Sequence, residues 1–199
     1  QALGGLFKTQ DEIRPLICRR FAVQNAVASY CVCDPCAGEG EAVVEIVNHV
    51  FGPLKDRRRP VYGNAQTKPE VSLVMVELEE ERYRRAESAG WGCSDLRQCH
   101  RGDGLCCDAS GDGCSLLWLN PPYDFFRGQR FEARFLDAWT PRIVGGGQLV
   151  LIVPEHALSY LAQTLTTWFD DLEVLRYPEP TYSEFKQVVV LGQKRVLAG

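Results

Sequence analysis

Four consecutive residues, Asn120, Pro121, Pro122 and Tyr123, close an apolar run "LWL" at 117–119. Two prolines lack backbone donors and cannot continue a central strand. The strand therefore stops with an amide and a phenol at its lip. A second stretch, "CDPCAGEGEAV" from Cys33, sets Asp34 at a strand end, followed by small residues and then a helix. Gly38 and Gly40 allow close backbone approach and positive φ, and the first N–H groups of the helix face whatever binds there. The stretch has no Gly-Lys-Ser/Thr and is a poor G-x-G-x-x-G. An acid ahead of the glycines would repel a pyrophosphate and suits a ligand of ammonium or sulfonium character. A third stretch, "VMVELEEE" (74–81), puts Glu77 at a strand end, where a carboxylate can accept ribose hydroxyls. Glu79 is the alternative, and Glu79 to Glu81 also read as the acidic start of a helix.

"DPCAGEG" resembles motif I of the class I S-adenosylmethionine-dependent methyltransferases, in the form common among amino-methylating members. That resemblance implies that Asp34, Pro35, Ala37, Gly38 and Gly40 line the methionine end of the cofactor. It gives Glu77 the ribose and places Leu78 near the adenine. "NPPY" resembles motif IV of enzymes that methylate planar nitrogens: N6-adenine and N4-cytosine DNA methyltransferases, some RNA guanine-N2 enzymes and release-factor glutamine methyltransferases. An exocyclic amino nitrogen is a poor nucleophile because its lone pair is delocalised. The resemblance implies that the Asn120 side-chain oxygen accepts one of its N–H groups and the Pro121 carbonyl the other. Pro122 holds the backbone and Tyr123 stacks on the planar group. In a duplex this implies base flipping. Weaker likenesses extend the set. "HRGDGL" places Asp103 on the cofactor adenine, with Asp108 and Asp112 competing. "GLFKTQ" is a degenerate F-x-T-P in which Phe7 and Thr9 match and Gln10 replaces the proline. "PTYSEFKQVVVLG" offers Tyr182 and Phe185 as a further aromatic wall for substrate.

The elements that must position these residues alternate. Helical spacing covers 10–24, 40–51, 79–90, 129–144 and 155–169. Apolar strands cover 30–35, 71–79, 114–120 and 146–154, with a weak strand at 93–100 and two more at 172–178 and 185–195. Strands apolar on both faces and separated by helices predict a mostly parallel sheet with helices on both sides. The last two strands have no long helix between them, so one antiparallel strand is expected at the end of the order. The fold class is thus α/β, a Rossmann-like doubly wound seven-stranded sheet. Ligands in such sheets bind at the carboxyl ends of the strands near the switch point. Residues 52–70 read as a polar surface insertion in a single domain spanning 1–199, with no separate target-recognition domain.

The 199 residues, 45% hydrophobic and 24% charged, are enough for one domain with a real core. A net charge of −4 gives no global pull toward nucleic acid or acidic membrane. No stretch approaches the roughly 20 apolar residues of a membrane span, and the N-terminus has no basic and apolar leader pattern. The chain, which does not begin with Met, reads as a processed or trimmed piece. Nine cysteines are read as reduced thiols of a cytoplasmic protein. Zinc at Cys93, Cys99, His100, Cys106, Cys107 and Cys114 is the alternative, because paired CxxC knuckles are missing. No metal is expected. Taken with the resemblance, the expectation is a S-adenosylmethionine-dependent enzyme that methylates an exocyclic amino nitrogen, N6 of adenine in DNA first. Alternatives are RNA guanine-N2, protein glutamine, or an inactive cofactor-binding subunit of a larger restriction or defence assembly. Nucleic acid, DNA above all, is the expected partner, with a specificity protein beside it. Arg57, Arg58 and Arg59, and Arg127, Arg130 and Arg134, could meet phosphates or form a solvated face.

Overall fold

The computed structural model describes residues 8–21, 29–52, 69–90, 96–107 and 113–196. Phe7, Cys93, Asp108, Asp112, Arg57 to Arg59 and all but the ends of the expected insertion at 52–70 lie outside the described residues.

The strands are β1 (Ser29–Asp34), β2 (Glu70–Glu77), β3 (Leu96–Arg101), β4 (Cys114–Leu119), β5 (Phe125–Phe126), β6 (Gln129–Arg130), β7 (Ile143–Pro154), β8 (Phe169–Arg176) and β9 (Gln187–Lys194). The helices are α1 (Arg14–Cys18), α2 (Glu41–Phe51), α3 (Glu80–Ala89), α4 (Phe131–Trp139), α5 (Leu158–Trp168) and α6 (Thr181–Phe185). Seven strands form one sheet in the order β3-β2-β1-β4-β7-β9-β8, and β5 and β6 form a separate two-stranded hairpin.

Alternation along each strand explains the two cores. Val32, Leu73, Met75, Leu116 and Trp118 pack on one face with Ile46 and Val47 of α2 and Ala86 of α3. Their neighbours Cys33, Val74, Val76, Leu117 and Leu119 face the other way, against Phe135 and Leu136 of α4 and Leu161 and Leu165 of α5. A strand that is apolar at every position can only be buried on both sides. This bears out the doubly wound reading.

β1 pairs in parallel with both β2 and β4, and β4 with β7. The chain runs outward from β1 to β2 and β3, then returns to β4 and continues the other way. The switch point lies between β1 and β4. The antiparallel strand is β9, but it does not end the order: it pairs with both β7 and β8, and β8 takes the edge. Because β9 runs backwards, its first residue, Gln187, arrives at the sheet edge where β7 presents its last, Pro154.

Other departures are local. The helix expected from 129 starts at Phe131, because Arg127 (φ 52°) and Gly128 (φ 80°) turn the chain and pair Phe125 with Arg130. Two successive left-handed residues are what a two-residue hairpin needs. Helix α1 covers five residues of the expected 10–24. A short helix, α6, precedes the final strand.

Candidate active site

The carboxyl ends of β1, β2 and β4 open onto one cavity of about 290 Å³, close to the lower end of small-molecule pockets. Thr9, Asp34, Pro35, Ala37, Gly38, Gly40, Glu77, Leu78, Asp103, Asn120 and Pro122 all line it. Pro121, Tyr123 and Phe185 are not among its lining residues.

The turn after β1 is held by its own backbone. Ala37 N–H donates to Val76 O at 3.0 Å and Gly40 N–H to Ala37 O at 2.8 Å. Gly40 sits at φ 79°, and a Cβ there would meet Ala86 Cα at 2.9 Å, so glycine is required on two counts. Gly38 also has positive φ. The Asp34 carboxylate accepts from Cys36 N–H at 3.0 Å. Burial pushes this carboxyl up to about 8; the Cys36 N–H opposes the shift and the nearby Glu77 charge adds to it. Without a cation beside it, Asp34 holds its proton at neutral pH.

Glu77 ties the turn to β2. Its Oε2 accepts from Gly38 N–H at 2.9 Å, and its Oε1 from Glu79 N–H at 2.9 Å and from both Nε and a terminal nitrogen of Arg82 at 3.1 and 2.9 Å. The carboxylate is buried, at 7% exposure, and oriented before any ligand arrives. Glu79 is instead the N-cap of α3, accepting from Glu81 and Arg82 N–H at 2.9 Å each. Leu78, half exposed, lines the cavity beside it. Asp103 caps its own turn through Leu105 N–H at 2.9 Å.

Several residues at the site carried no signal in the sequence. Arg82 holds Glu77 from the first turn of α3. Gly104 presses on the turn after β1: a Cβ there would lie 2.2 Å from Pro35 O and 3.0 Å from a Phe135 ring carbon. Its carbonyl accepts from Trp139 Nε1 at 2.9 Å. Gly104→Ala is expected to cost about 1–3 kcal/mol and to weaken cofactor binding, measured by urea unfolding and calorimetry. The short turn "RGDGL" was the only hint. Lys8 pairs with Glu41 at 2.6 Å, which raises its pKa and ties the N-terminal strap to α2.

At the end of β4 the Asn120 amide is oriented from both sides. Its Nδ2 donates to Thr9 Oγ1 at 3.2 Å, and its Oδ1 accepts from the Tyr123 hydroxyl at 2.7 Å. Tyr123 also meets Ile152 O at 3.4 Å and accepts from Gln187 Nε2 at 3.0 Å. Burial raises the Tyr123 pKa well above the ordinary phenol range, so it remains a hydroxyl donor. With its hydroxyl so engaged, any stacking on a planar substrate falls to the ring face.

Arg130 is buried, paired with the fully buried Glu132 at 2.6 Å and set against the Phe125 ring. It braces the hairpin and is not placed to meet phosphates. Tyr182 donates to Glu155 and lies between Arg176 and Lys186, while Phe185 is 43% exposed. All eight described cysteines are free thiols, and among the described residues no group of three His, Cys, Asp or Glu could hold a metal ion. No described helix is long and apolar enough to cross a membrane.

A sheet of this order, with a glycine turn and a paired acidic site at the ends of β1 and β2, defines the class I S-adenosylmethionine-dependent methyltransferases. The chain belongs to the uncharacterised methyltransferase family DUF6094, whose model matches residues 61–198. S-adenosylmethionine is therefore its cofactor. The residues present fit it: a near-neutral buried acid for the cationic end, glycines that admit close approach, and a pre-oriented carboxylate. Similar solved structures share the fold. A Listeria monocytogenes protein assigned to the class I S-adenosylmethionine-dependent methyltransferases is 12% identical, with TM-score 0.72 over 96% of this chain and 62% of its own. The M protein of the type I restriction enzyme EcoKI is 17% identical, with TM-score 0.67 over 94% of this chain and 44% of its own. TrmN from Thermus thermophilus is 18% identical, with TM-score 0.59 over 92% and 48%. This chain thus spans less than two thirds of each of these proteins. No curated protein matches its sequence.

Proposed function

We propose that the enzyme methylates an exocyclic amino nitrogen, with N6 of adenine in DNA as the first candidate. One observation carries the reading: Asn120 and Pro122 line the same cavity as Asp34, Gly38, Gly40 and Glu77. The acceptor for a target amine and the groups suited to the cofactor thus share one hollow.

When bound, S-adenosylmethionine supplies an electrophilic methyl group on a sulfonium sulfur. Asp34, in its ionised form, balances the charge of the cofactor's cationic end. Glu77, held by Gly38 and Arg82, would receive the ribose. Leu78 and Asp103 would border the adenine, and Thr9 would hold the strap beside it. An amide oxygen can accept two hydrogen bonds. Tyr123 supplies one to Asn120 Oδ1, and the target amine supplies the second. The resemblance gives the other N–H to the carbonyl of Pro121, a residue that does not itself line the cavity. With its lone pair so oriented the nitrogen would take the sulfonium methyl, the carbon–sulfur pair leaving with sulfur as a neutral thioether and the surplus N–H proton passing to water. The catalytic power comes from orientation and placed dipoles rather than a strong base.

Mixed genomic DNA incubated with the protein and cofactor, digested and analysed by nucleoside mass spectrometry, should contain N6-methyladenine. Tritium transfer from labelled cofactor to RNA or protein, with none to DNA, would replace adenine by guanine-N2 or glutamine. Cofactor binding with no transfer to any of the three, including with candidate partner proteins, would reduce the chain to a cofactor-binding subunit.

A further inference from the structure

Three hydrogen bonds run in one direction across the catalytic lip. Gln187 Nε2 donates to Tyr123 Oη at 3.0 Å, Tyr123 O–H donates to Asn120 Oδ1 at 2.7 Å, and Asn120 Nδ2 donates to Thr9 Oγ1 at 3.2 Å. The direction follows from chemistry. Gln187 Nε2 can only donate, so the phenol oxygen accepts there. Its single proton has two acceptors in reach, Asn120 Oδ1 at 2.7 Å and Ile152 O at 3.4 Å, and the shorter contact takes it to Asn120. That partner must then present an oxygen. An Asn amide turned over would put its NH₂ group toward Tyr123 and its oxygen toward Thr9, leaving a donor where the target amine needs an acceptor. Gln187 is 3% exposed, so losing its bond leaves buried polar groups without a substitute from solvent.

The topology makes this possible. Among the strands around the site, β9 alone presents its first residue at the catalytic edge, because it runs against β7 and pairs Gln187 with Pro154. Ile152, two residues earlier on β7, meets the same Tyr123 hydroxyl through its carbonyl.

We propose that Gln187 is a positioning residue for methyl transfer, setting through Tyr123 which way the Asn120 amide faces. This rests on the reading of Asn120 as the acceptor of the target amine. Gln187 touches neither substrate nor cofactor. Its effect belongs to the transfer step, and cofactor binding is left alone.

The test uses the full chain with saturating cofactor, comparing Gln187→Leu, Tyr123→Phe and the double variant in single-turnover transfer. Each single variant should lose about 10–100-fold in rate, the scale of a small misplacement at a reacting group, with cofactor affinity by calorimetry unchanged. Because both act through one chain, the double variant should be no slower than the worse single one. Losses that multiply, or a Gln187→Leu enzyme as fast as wild type, would overturn the proposal.

Gln187→Glu adds a readout that packing does not move. A protonated carboxyl can donate to Tyr123, whereas an ionised one accepts the phenol proton and pulls it off Asn120. Transfer by this variant should persist at acid pH and fall as the new carboxyl ionises, a limb missing from wild type. A profile parallel to wild type would count against the relay. If wild type transfers to nothing, the reading of the function fails first. The relay is then judged separately by the Asn120 side-chain amide NMR signals, which must shift in Gln187→Leu for it to survive.

Discussion

Asn120→Ala is expected to abolish methyl transfer while leaving the cofactor in place. The substitution removes the amide oxygen that receives the target N–H and leaves the turn after β1 untouched, so the loss should fall on the rate constant. Removing one placed dipole from a reacting centre typically costs 10²–10³-fold, and here the orientation of the nitrogen lone pair goes with it. Calorimetric affinity for S-adenosylmethionine should stay close to wild type, because Asp34 and Glu77, the charged groups proposed to hold its cationic end and ribose, lie at the ends of β1 and β2 and have their own partners in Cys36, Gly38 and Arg82. The alanine also frees Thr9 and Tyr123 of a partner, so a small drop in thermal midpoint is expected. An alanine variant that methylates at the wild-type rate would remove the catalytic reading of this loop.

Asp34→Asn should have the opposite profile, weak cofactor binding in a more robust free protein. The buried carboxyl of the free enzyme titrates at about 8, whereas a cation beside it favours the ionised form. Binding at neutral pH therefore releases a proton. Affinity for S-adenosylmethionine should rise about ten-fold per unit from pH 6 toward 8 and then level off. In Asp34→Asn this pH dependence vanishes and affinity falls by about 10²-fold or more, the scale for removing a partner of a buried charge.

Stability runs the other way. The folded pKa of Asp34 lies above the unfolded value of 3.8. The cofactor-free native state binds the extra proton between those values. Its contribution favours folding below about pH 4 and is lost as pH rises through about 8. At pH 9 the wild type buries an unpaired carboxylate, whereas the asparagine keeps the Cys36 N–H bond at no charge cost. Asp34→Asn should therefore melt at higher temperature than wild type at pH 9 in the absence of cofactor. Equal melting curves and a flat affinity profile would show that Asp34 is ionised throughout.

The class of chemistry was legible because its residues are contiguous and their local demands are steric. Gly40 must be glycine for its backbone angle and for the approach of Ala86. The two prolines after Asn120 end β4 whatever packs around them. The doubly apolar strands announced a sheet covered on both faces. Where local signals conflicted, tertiary contacts decided. "FFRGQRF" carries an Arg-Gly turn rather than the usual Asn-Gly, so the hairpin is missed in the sequence and the expected helix begins at 129, inside β6. Glu77 is the first choice in the sequence and Glu79 the alternative; in the fold Gly38 and Arg82 close on the first and the helix start claims the second.

The sequence by itself determined the sheet class, the glycine turn and the strand-ending prolines. These depend on backbone sterics and on alternation over a few residues. The order of the last strands, with β9 between β7 and β8, came only from the fold. So did the bond from Asn120 to Thr9, 111 residues away, and the bond from Gln187 to Tyr123 across 64. A lone polar residue at the start of a strand has no period and no motif. Which group it meets is decided by strand direction, and strand direction is a property of the whole sheet.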